Sequence, residues 1–320
     1  MSKGHTAVNE FLEKKDRFAD FFNGNFFQGE QIVRPEELEI VKGESDILVE
    51  DKEQNVKNIH RYRDIVMRWK GEIYFAILAC ETQSAIHYAM PVRGMLYDGL
   101  SYLEQIKNIW ESHQENKKEK VSGAEYLSKF RKEDKLIPII SAVFYYGTES
   151  WDGSTDLHGM FQDDALIENK IVQKYIPNYK INLIDADGIE DVNRFQTDLR
   201  QIFGMMKHRR DKEELKTYMN RHGEYFRKLD GGTYQVVAEI LQSKRMLKKM
   251  AAREEREGEF NMCKALEDLY QDGVEVGIKA LVETMQELGS TIESVVSKVV
   301  EKFEMTQEIA EGHVGRYWKQ

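Results

Sequence analysis

The chain has 320 residues, of which 41% are hydrophobic and 32% charged, enough for one large or two modest domains with a buried core. It contains no run of about 18 apolar residues and no apolar N-terminal segment, so we expect neither a transmembrane helix nor a secretory signal. Two cysteines, Cys80 and Cys263, make no disulfide framework and favour a cytoplasmic protein, while a net charge of −10 lowers the expectation of nucleic-acid binding without excluding it.

The first predicted elements are a helix, a helical turn and a strand. Residues 8–23 carry aromatic side chains at helical spacing and predict a helix that ends near Gly24. Pro35 is placed to start a short helical turn. Residues 42–60 are polar and predict a connection. The apolar run IYFAILAC then predicts a strand buried on both faces.

Helices and strands alternate in the next part of the chain. A long helix is predicted over SAIHYAMPVRGMLYDGLSYLEQIKNIW, from the helical spacing of Met95, Leu96, Leu100, Leu103, Ile106 and Ile109. LIPIISAVFYYG and YKINLIDA predict two more strands. Residues 1–190 are therefore predicted to form one α/β domain.

Only helices are predicted after this domain. We expect a helical extension over residues 191–258, with the charge-rich KRMLKKMAAREERE as the best candidate for a hinge, and a helical C-terminal module over 259–320. The expected helix N-caps in this module are Ser290 or Thr291, then Thr306. The last helices could read DNA as a helix-turn-helix, but they carry little positive charge, so a dimerisation or regulatory module is favoured. A homo-oligomer could form through them.

Two acids flank the predicted strand IYFAILAC. Asp64 lies in RYRDIV before it, and Glu81 follows it, with sixteen residues between the two acids. That length allows two antiparallel strands and a short turn, so both carboxylates could meet at one sheet edge. Mg²⁺ prefers such hard oxygen ligands and keeps several waters, so two carboxylates suffice. Thr82 could add its backbone carbonyl, and Gln83, two residues after Glu81, would point to the same face of an extended chain.

The sequence leaves alternatives open at these positions. By spacing alone, Asp64 and Glu81 could instead pair with arginines such as Arg61 or Arg63. Arg93 could bind a phosphate, which a guanidinium matches well, or form a structural ion pair. The histidines show no ligand spacing with each other or with the cysteines, so we predict no zinc site.

Four segments together resemble a known nuclease family. They are RFADFF, RYRDIV, ACETQSAIHYAMPVRG, and LIPIISAVFYYG followed by Trp151. The D…E-x-Q pattern resembles the PD-(D/E)XK nuclease superfamily. The block of Glu81, Gln83, Ser84 and Met90-Pro91-x-Arg93 more narrowly resembles the Rpn family of recombination-promoting nucleases, also called putative transposases of the YhgA-like group.

The resemblance implies a fold and an activity. The fold would be α/β, with a PD-(D/E)XK restriction-endonuclease-like core, a mixed sheet flanked by helices, in residues 1–190, followed by an all-helical C-terminal region. The activity would be Mg²⁺-dependent DNA cleavage, with Asp64 and Glu81 as metal ligands and Mn²⁺ able to substitute. The opening helix of the family often supplies one more acid; Asp16, Asp20 and Glu30 are candidates, and Asp20 is the first choice.

The chain departs from the superfamily pattern at Gln83, where a lysine is usual. A glutamine carries no charge and cannot accept a proton near neutral pH, so deprotonation of water would fall to the metal or to another base. This departure and the acidic net charge favour an alternative function, in which a nuclease-like fold binds DNA or a partner protein without cutting DNA.

Overall fold

Seven strands, twelve α-helices and four short 3-10 helices, one of them at the predicted helical turn Pro35–Glu37, are assigned in the computed structural model, over the residues that it describes. Those residues are 7–41, 44–50, 56–62, 65–70, 73–79, 86–115, 121–162, 170–241, 243, 246 and 260–318. The strands are β1 (Leu38–Val41), β2 (Glu44–Glu50), β3 (Val56–Tyr62), β4 (Ile65–Trp69), β5 (Ile73–Ala79), β6 (Ile139–Tyr145) and β7 (Asn182–Asp185). The helices are α1 (Ala7–Leu12), α2 (Lys15–Phe26), α3 (Met90–Glu115), α4 (Gly123–Ser128), α5 (Lys170–Gln173), α6 (Leu199–His208), α7 (Lys212–Arg221), α8 (Gly223–Phe226), α9 (Gly231–Ile240), α10 (Met262–Glu287), α11 (Ile292–Phe303) and α12 (Gln307–Tyr317).

A five-stranded mixed sheet, in the order β1-β4-β5-β6-β7, forms the centre of the first part of the chain. Its first three strands are antiparallel neighbours, and β5, β6 and β7 run parallel to one another. The predicted strands in IYFAILAC, LIPIISAVFYYG and YKINLIDA are confirmed as β5, β6 and β7. The prediction of a mixed α/β fold is therefore confirmed.

Strand β6 has both of its faces covered by helices, because side chains alternate along a strand. Val143 and Tyr145 pack against Met90 and Tyr97 of α3. On the other face, the ring of Phe144 lies 5.4 Å from Phe21 of α2 and 5.8 Å from Phe203 of α6, centroid to centroid. The sheet is thus flanked by α3 on one side and by α2 and α6 on the other.

Helix α3 also contacts β6 and its flanks through hydrogen bonds. The buried side-chain amide of Gln105 donates to the carbonyl of Ile137 at 3.0 Å and accepts from the N–H of Ile137 at 2.7 Å. Two turns earlier, the carboxylate of Asp98 accepts from the Ser141 hydroxyl at 2.7 Å and from the Tyr179 hydroxyl at 2.6 Å. These bonds fix the position of α3 along the sheet.

Three details of the first part differ from prediction. The segment 42–60, predicted as a connection, contains the two-stranded hairpin β2–β3. A two-stranded ribbon is held by backbone hydrogen bonds and needs no long apolar run, so its polar composition concealed it. The predicted first helix is two helices, and α2 runs through Gly24 instead of ending there. Gly24 is needed for packing, because a Cβ would lie 2.2 Å from the ring of Phe195.

Helix α3 begins later than predicted. The predicted helix started with SAIHYA, whereas the observed helix starts at Met90 and extends to Glu115. Pro91 explains the start, because proline lacks an N–H and is tolerated only in the first turn of a helix.

The chain divides into two compact units, Met1–Tyr218 with Gln235–Gln242, and Met219–Tyr234 with Ser243–Gln320. In the second unit, α10, α11 and α12 enclose an apolar core. Its buried members are Ile278, Val282, Val295, Val299, Ala310 and Val314. The prediction of a helical C-terminal region is confirmed, while the predicted domain limits at 190 and 258 stay predictions.

The turn between α10 and α11 follows the predicted signals. Gly289 has a positive φ of 74°, a conformation that glycine adopts readily. The Thr291 hydroxyl accepts from the N–H of Ser294 at 3.4 Å and caps α11. Thr306 occupies the N-cap position of α12, but its side chain makes no capping hydrogen bond.

The Gln105 contact predicts a stability difference within α3. Gln105→Ala removes the side-chain amide that bonds the backbone of Ile137, so the N–H and the C=O of Ile137 both lose their hydrogen-bond partner. The free energy of unfolding should therefore fall by about 2–3 kcal/mol. Gln114→Ala, at an exposed position of the same helix, should change it by less than about 0.5 kcal/mol. Urea unfolding of both variants measures the difference, and equal midpoints would contradict the role given to Gln105.

Candidate functional site

One edge of the sheet brings together the ends of four strands. Ile65, the first residue of β4, pairs with Ile77 near the carboxyl end of β5. Ala79 at the end of β5 pairs with Phe144, and Tyr145 at the end of β6 pairs with Asp185 at the end of β7. The start of β4 and the carboxyl ends of the three parallel strands therefore lie side by side.

The four central residues of the predicted metal site adjoin this edge in sequence but lie outside the described residues. Asp64 directly precedes β4, and Glu81, Thr82 and Gln83 begin two residues after the last residue of β5. Their predicted roles stay predictions. Within the described residues, no group of three or more His, Cys, Asp and Glu side chains is arranged to hold a metal ion.

Arg93 lies in the first turn of α3, close to the carboxyl end of β6, because Met90 of the same turn packs in one cluster with Tyr145. Arg93 is half-buried, and its Nε donates to the Tyr97 hydroxyl at 3.2 Å, with the guanidinium carbon 5.3 Å from the ring centroid of Tyr97. No carboxylate of the described residues lies within ion-pair distance of Arg93. The alternative role of Arg93, a structural ion pair, therefore lacks an acidic partner among the described residues.

The turn after β6 is built from Tyr145, Gly147 and Trp151, residues of the segment that resembles the nuclease family. The Tyr145 hydroxyl donates to the Glu149 carbonyl at 2.7 Å, and its ring lies 5.2 Å from that of Trp151 in an edge-on contact. A Cβ on Gly147 would lie 2.4 Å from the Tyr145 hydroxyl oxygen, so only glycine fits there. The turn is therefore folded around the Tyr145 side chain at the carboxyl edge of the sheet.

The segment that leads into α3 is held against this turn. The Tyr88 hydroxyl donates to the Asp152 carboxylate at 3.5 Å, and this hydrogen bond, with the negative charge of Asp152, raises the pKa of Tyr88 above its ordinary value. Ile86 lies 3.4 Å from the position that a Cβ on Gly153 would occupy. The first described residues after the Glu81–Ser84 block are thus fixed beside the turn.

Arg209 is a buried cation at the same edge that sequence reasoning missed. Its guanidinium donates to the carbonyls of Tyr146 at 2.8 Å and of Gly147, the two residues after β6, and forms an ion pair with Asp187 at 2.9 Å. Arg210 pairs with the second oxygen of Asp187 at 2.9 Å. No local pattern signals this cluster, since Arg209 is more than 60 residues from the turn that it supports.

Asp20, the first choice for an additional acid, is buried in α2 and has a structural role. One carboxylate oxygen accepts from the N–H of Gln196 at 2.8 Å, and the other accepts from the N–H of Thr197 at 2.7 Å and from its hydroxyl at 2.6 Å. These bonds close the turn that leads into α6. They account for the burial of Asp20, and its part in a metal site stays a prediction. The other candidates, Asp16 and Glu30, are exposed.

Comparison with known families assigns the chain. Residues 5–236 match the family model described as putative transposase, YhgA-like. The chain belongs to this family. The match covers the described parts of the sheet and the Arg93 and Trp151 segments, and it confirms the family resemblance seen in the sequence. No match was found among curated proteins or among solved structures. None of the helices in the described part of this YhgA-like chain is long and apolar enough to cross a membrane.

The hydrogen bonds of Asp20 predict a stability effect at a position first considered for the metal site. Asp20→Ala should lower the free energy of unfolding by about 2–4 kcal/mol, because two backbone N–H groups and a hydroxyl lose their acceptor. Asp16→Ala, which changes an exposed acid of the same helix, should have an effect below about 0.5 kcal/mol. Urea unfolding measures both variants. An Asp20→Ala protein as stable as the parent would show that the carboxylate does not hold this turn.

Proposed function

We propose that this YhgA-like protein is a Mg²⁺-dependent DNA endonuclease of the recombination-promoting type, with a PD-(D/E)XK restriction-endonuclease-like core in residues 1–190. Membership of a putative transposase family supports a role in DNA breakage. The mixed sheet, with three antiparallel strands joined to two parallel ones by β5, supports the proposed core.

The observation that carries the proposal is the pairing of Ile65 with Ile77. It puts the residue that follows Asp64 on the strand next to β5, whose end precedes Glu81. Neighbouring strands lie about 4.8 Å apart, and Mg²⁺ binds carboxylate oxygens at about 2.0–2.1 Å. By this register Glu81 comes three residues beyond the position on β5 that faces position 64, so sharing one ion requires the chain to turn back after β5. We propose that it does.

The proposed ligands are Asp64, Glu81 and the backbone carbonyl of Thr82. Mg²⁺, or Mn²⁺ in its place, would supply a Lewis acid and lower the pKa of a bound water. The amide of Gln83 would orient the attacking water or a phosphate oxygen, but it would not remove a proton.

Arg93 is proposed to bind phosphate. Within the described residues the only hydrogen bond of its side chain is from Nε to the Tyr97 hydroxyl, and both terminal nitrogens are unpaired there. The Tyr97 contact holds the guanidinium in one orientation at the start of α3. A guanidinium so oriented matches two phosphate oxygens and would offset the charge that develops during cleavage.

Two features favour the second function, a nuclease-like module that binds DNA or protein without cutting. They are the glutamine at position 83 and the net charge of −10. The expected association of copies through the C-terminal helices stays a prediction, and it does not distinguish the two functions. Cleavage and metal-binding measurements distinguish the two functions.

The first experiment measures plasmid nicking by the full chain in Mg²⁺ and in Mn²⁺. Asp64→Ala and Glu81→Ala should each lower the rate at least about 100-fold, because each removes a metal ligand. Glu308→Ala, which changes an exposed acid of α12, is the matched control and should leave the rate unchanged. A cleavage rate that survives in Asp64→Ala would exclude the proposed site.

Calorimetric titration with Mn²⁺ tests the binding-only alternative. The endonuclease should bind Mn²⁺, and the Glu81→Ala variant should lose that binding even if the DNA affinity is unchanged. A parent protein that binds DNA but neither binds Mn²⁺ nor nicks plasmid would establish the second function instead.

The phosphate role of Arg93 is tested by DNA affinity as a function of salt. Arg93→Ala should weaken binding of unrelated DNA sequences alike and reduce the salt dependence by about one phosphate contact. Lys107→Ala removes an exposed cation from the same helix and should leave the salt dependence unchanged. If Arg93→Ala and Lys107→Ala behave identically, Arg93 does not contact phosphate.

A further inference from the structure

The outward face of α3 carries an exposed apolar row. Val92, Leu96 and Leu103 are 40%, 42% and 56% exposed. Together with Gly99 they are spaced by four, three and four residues. This alternation of three and four is the spacing of residues along a seam between two packed helices. Ile106 and Trp110 continue the same spacing and are half-buried.

The interior of the first unit does not account for this row. Asp98 and Gln105 point inward and are hydrogen-bonded to β6 and its flanks, as is the Tyr102 hydroxyl, which accepts from the N–H of Ile139 at 3.3 Å. Helix α3 therefore buries Met90, Tyr97 and its hydrogen-bonded polar groups against the sheet, and it leaves a second set of large apolar side chains exposed on the opposite face. A stripe of large apolar residues on an outer face marks an interaction surface.

Gly99 is a second, independent sign of a partner. It lies in the middle of α3, and no heavy atom of the described residues lies within 4 Å of the position that its Cβ would occupy. Glycine within a helix destabilises it by roughly 0.5–1 kcal/mol relative to alanine. Nothing within the described residues offsets this loss. The absence of a side chain becomes useful when another backbone approaches the row at this point.

The apolar surface continues from α3 onto α4. The ring of Trp110, at the end of the row, lies 6.2 Å from that of Tyr126, and Tyr126 and Leu127 are both exposed. The row from Val92 to Trp110 is about 28 Å long at 1.5 Å per residue. The six-residue helix α4 extends this surface beyond the end of the row.

We propose that this face of α3 is an interface between two copies of the chain, with the two α3 helices crossing at Gly99. The row is nearly symmetric about Gly99. Leu96 and Val92 lie three and seven residues before it, and Leu103 and Ile106 lie four and seven residues after it. A two-fold axis at Gly99 therefore sets apolar residues against apolar residues. The residues of the row have no ionisable side chain, and the one charge that the described contacts place on it is the ammonium of Lys129, 5.0 Å from the centroid of the Trp110 ring. Two copies with a net charge of −10 each can therefore meet there without opposing carboxylates in the seam.

Sedimentation analysis of the full chain tests the proposal. The parent should have twice the 37.5 kDa mass of one chain. Leu103→Glu should raise the dissociation constant at least about 30-fold, because the interface would bury a carboxylate on each copy. The fold should survive, since position 103 is exposed and the new carboxylate would lie one turn before Lys107. Circular dichroism checks that it does.

Ile309→Glu is the matched control. Ile309 is an apolar residue of α12 with 52% exposure, close to that of Leu103, and this variant should stay dimeric. The proposal is overturned if the parent is monomeric at about 50 µM, a concentration at which a dimer of micromolar affinity forms. It is also overturned if Leu103→Glu stays dimeric. It is overturned as well if Ile309→Glu dissociates the dimer, because that result would place the interface on the C-terminal helices.

Cross-linking tests the crossing point separately. In a chain with Cys80 and Cys263 replaced by alanine, Gly99→Cys should form a disulfide-linked dimer when oxidised with copper phenanthroline, because a disulfide requires Cα atoms within about 7 Å. Gly312→Cys, at another exposed helical glycine with open space around it, should not. Equal cross-linking of the two variants would overturn the proposed crossing.

Discussion

Strand β6 is the element against which the helices on both sides of the sheet pack. Its successive side chains point to opposite sides, so Val143 and Tyr145 contact α3 while Phe144 contacts α2 and α6. The strand also pairs with β5 on one side and β7 on the other. Because its carboxyl end carries the turn that Tyr145 and Arg209 hold, the position of β6 also sets the geometry of the candidate site.

The contact between α3 and β6 combines apolar packing with directional polar bonds. Asp98 and Gln105 could face water on the outside of the helix, yet they make buried or half-buried bonds to the sheet and its flanks. Such bonds add little net stability each, but leaving one group without its partner is costly, so they select one register of helix on sheet. This arrangement fixes Arg93 near the sheet edge and leaves Val92, Leu96 and Leu103 exposed on the opposite face of α3.

Sequence reasoning identified the strands and helices of the first unit from local signals. The apolar run of β6 was recognisable because a strand between two helical layers is apolar on both faces, and β5 and β7 were recognised from similar runs of branched and aromatic residues. The hairpin β2–β3 was missed, since its polar segment carries no such signal. Gly24 was misread as a helix end because the ring of Phe195 that requires it is 171 residues away.

The sequence by itself determined the family, the alternation of helices and strands, and the candidate residues Asp64, Glu81, Gln83 and Arg93. Only the tertiary structure showed that the start of β4 adjoins the end of β5, that Asp20 closes a distant turn, and that Arg209 supports the turn after β6. The division has a physical reason. Periodicity and turn chemistry act over a few residues, whereas burial, ion pairing and strand register are set by groups brought together from distant parts of the chain.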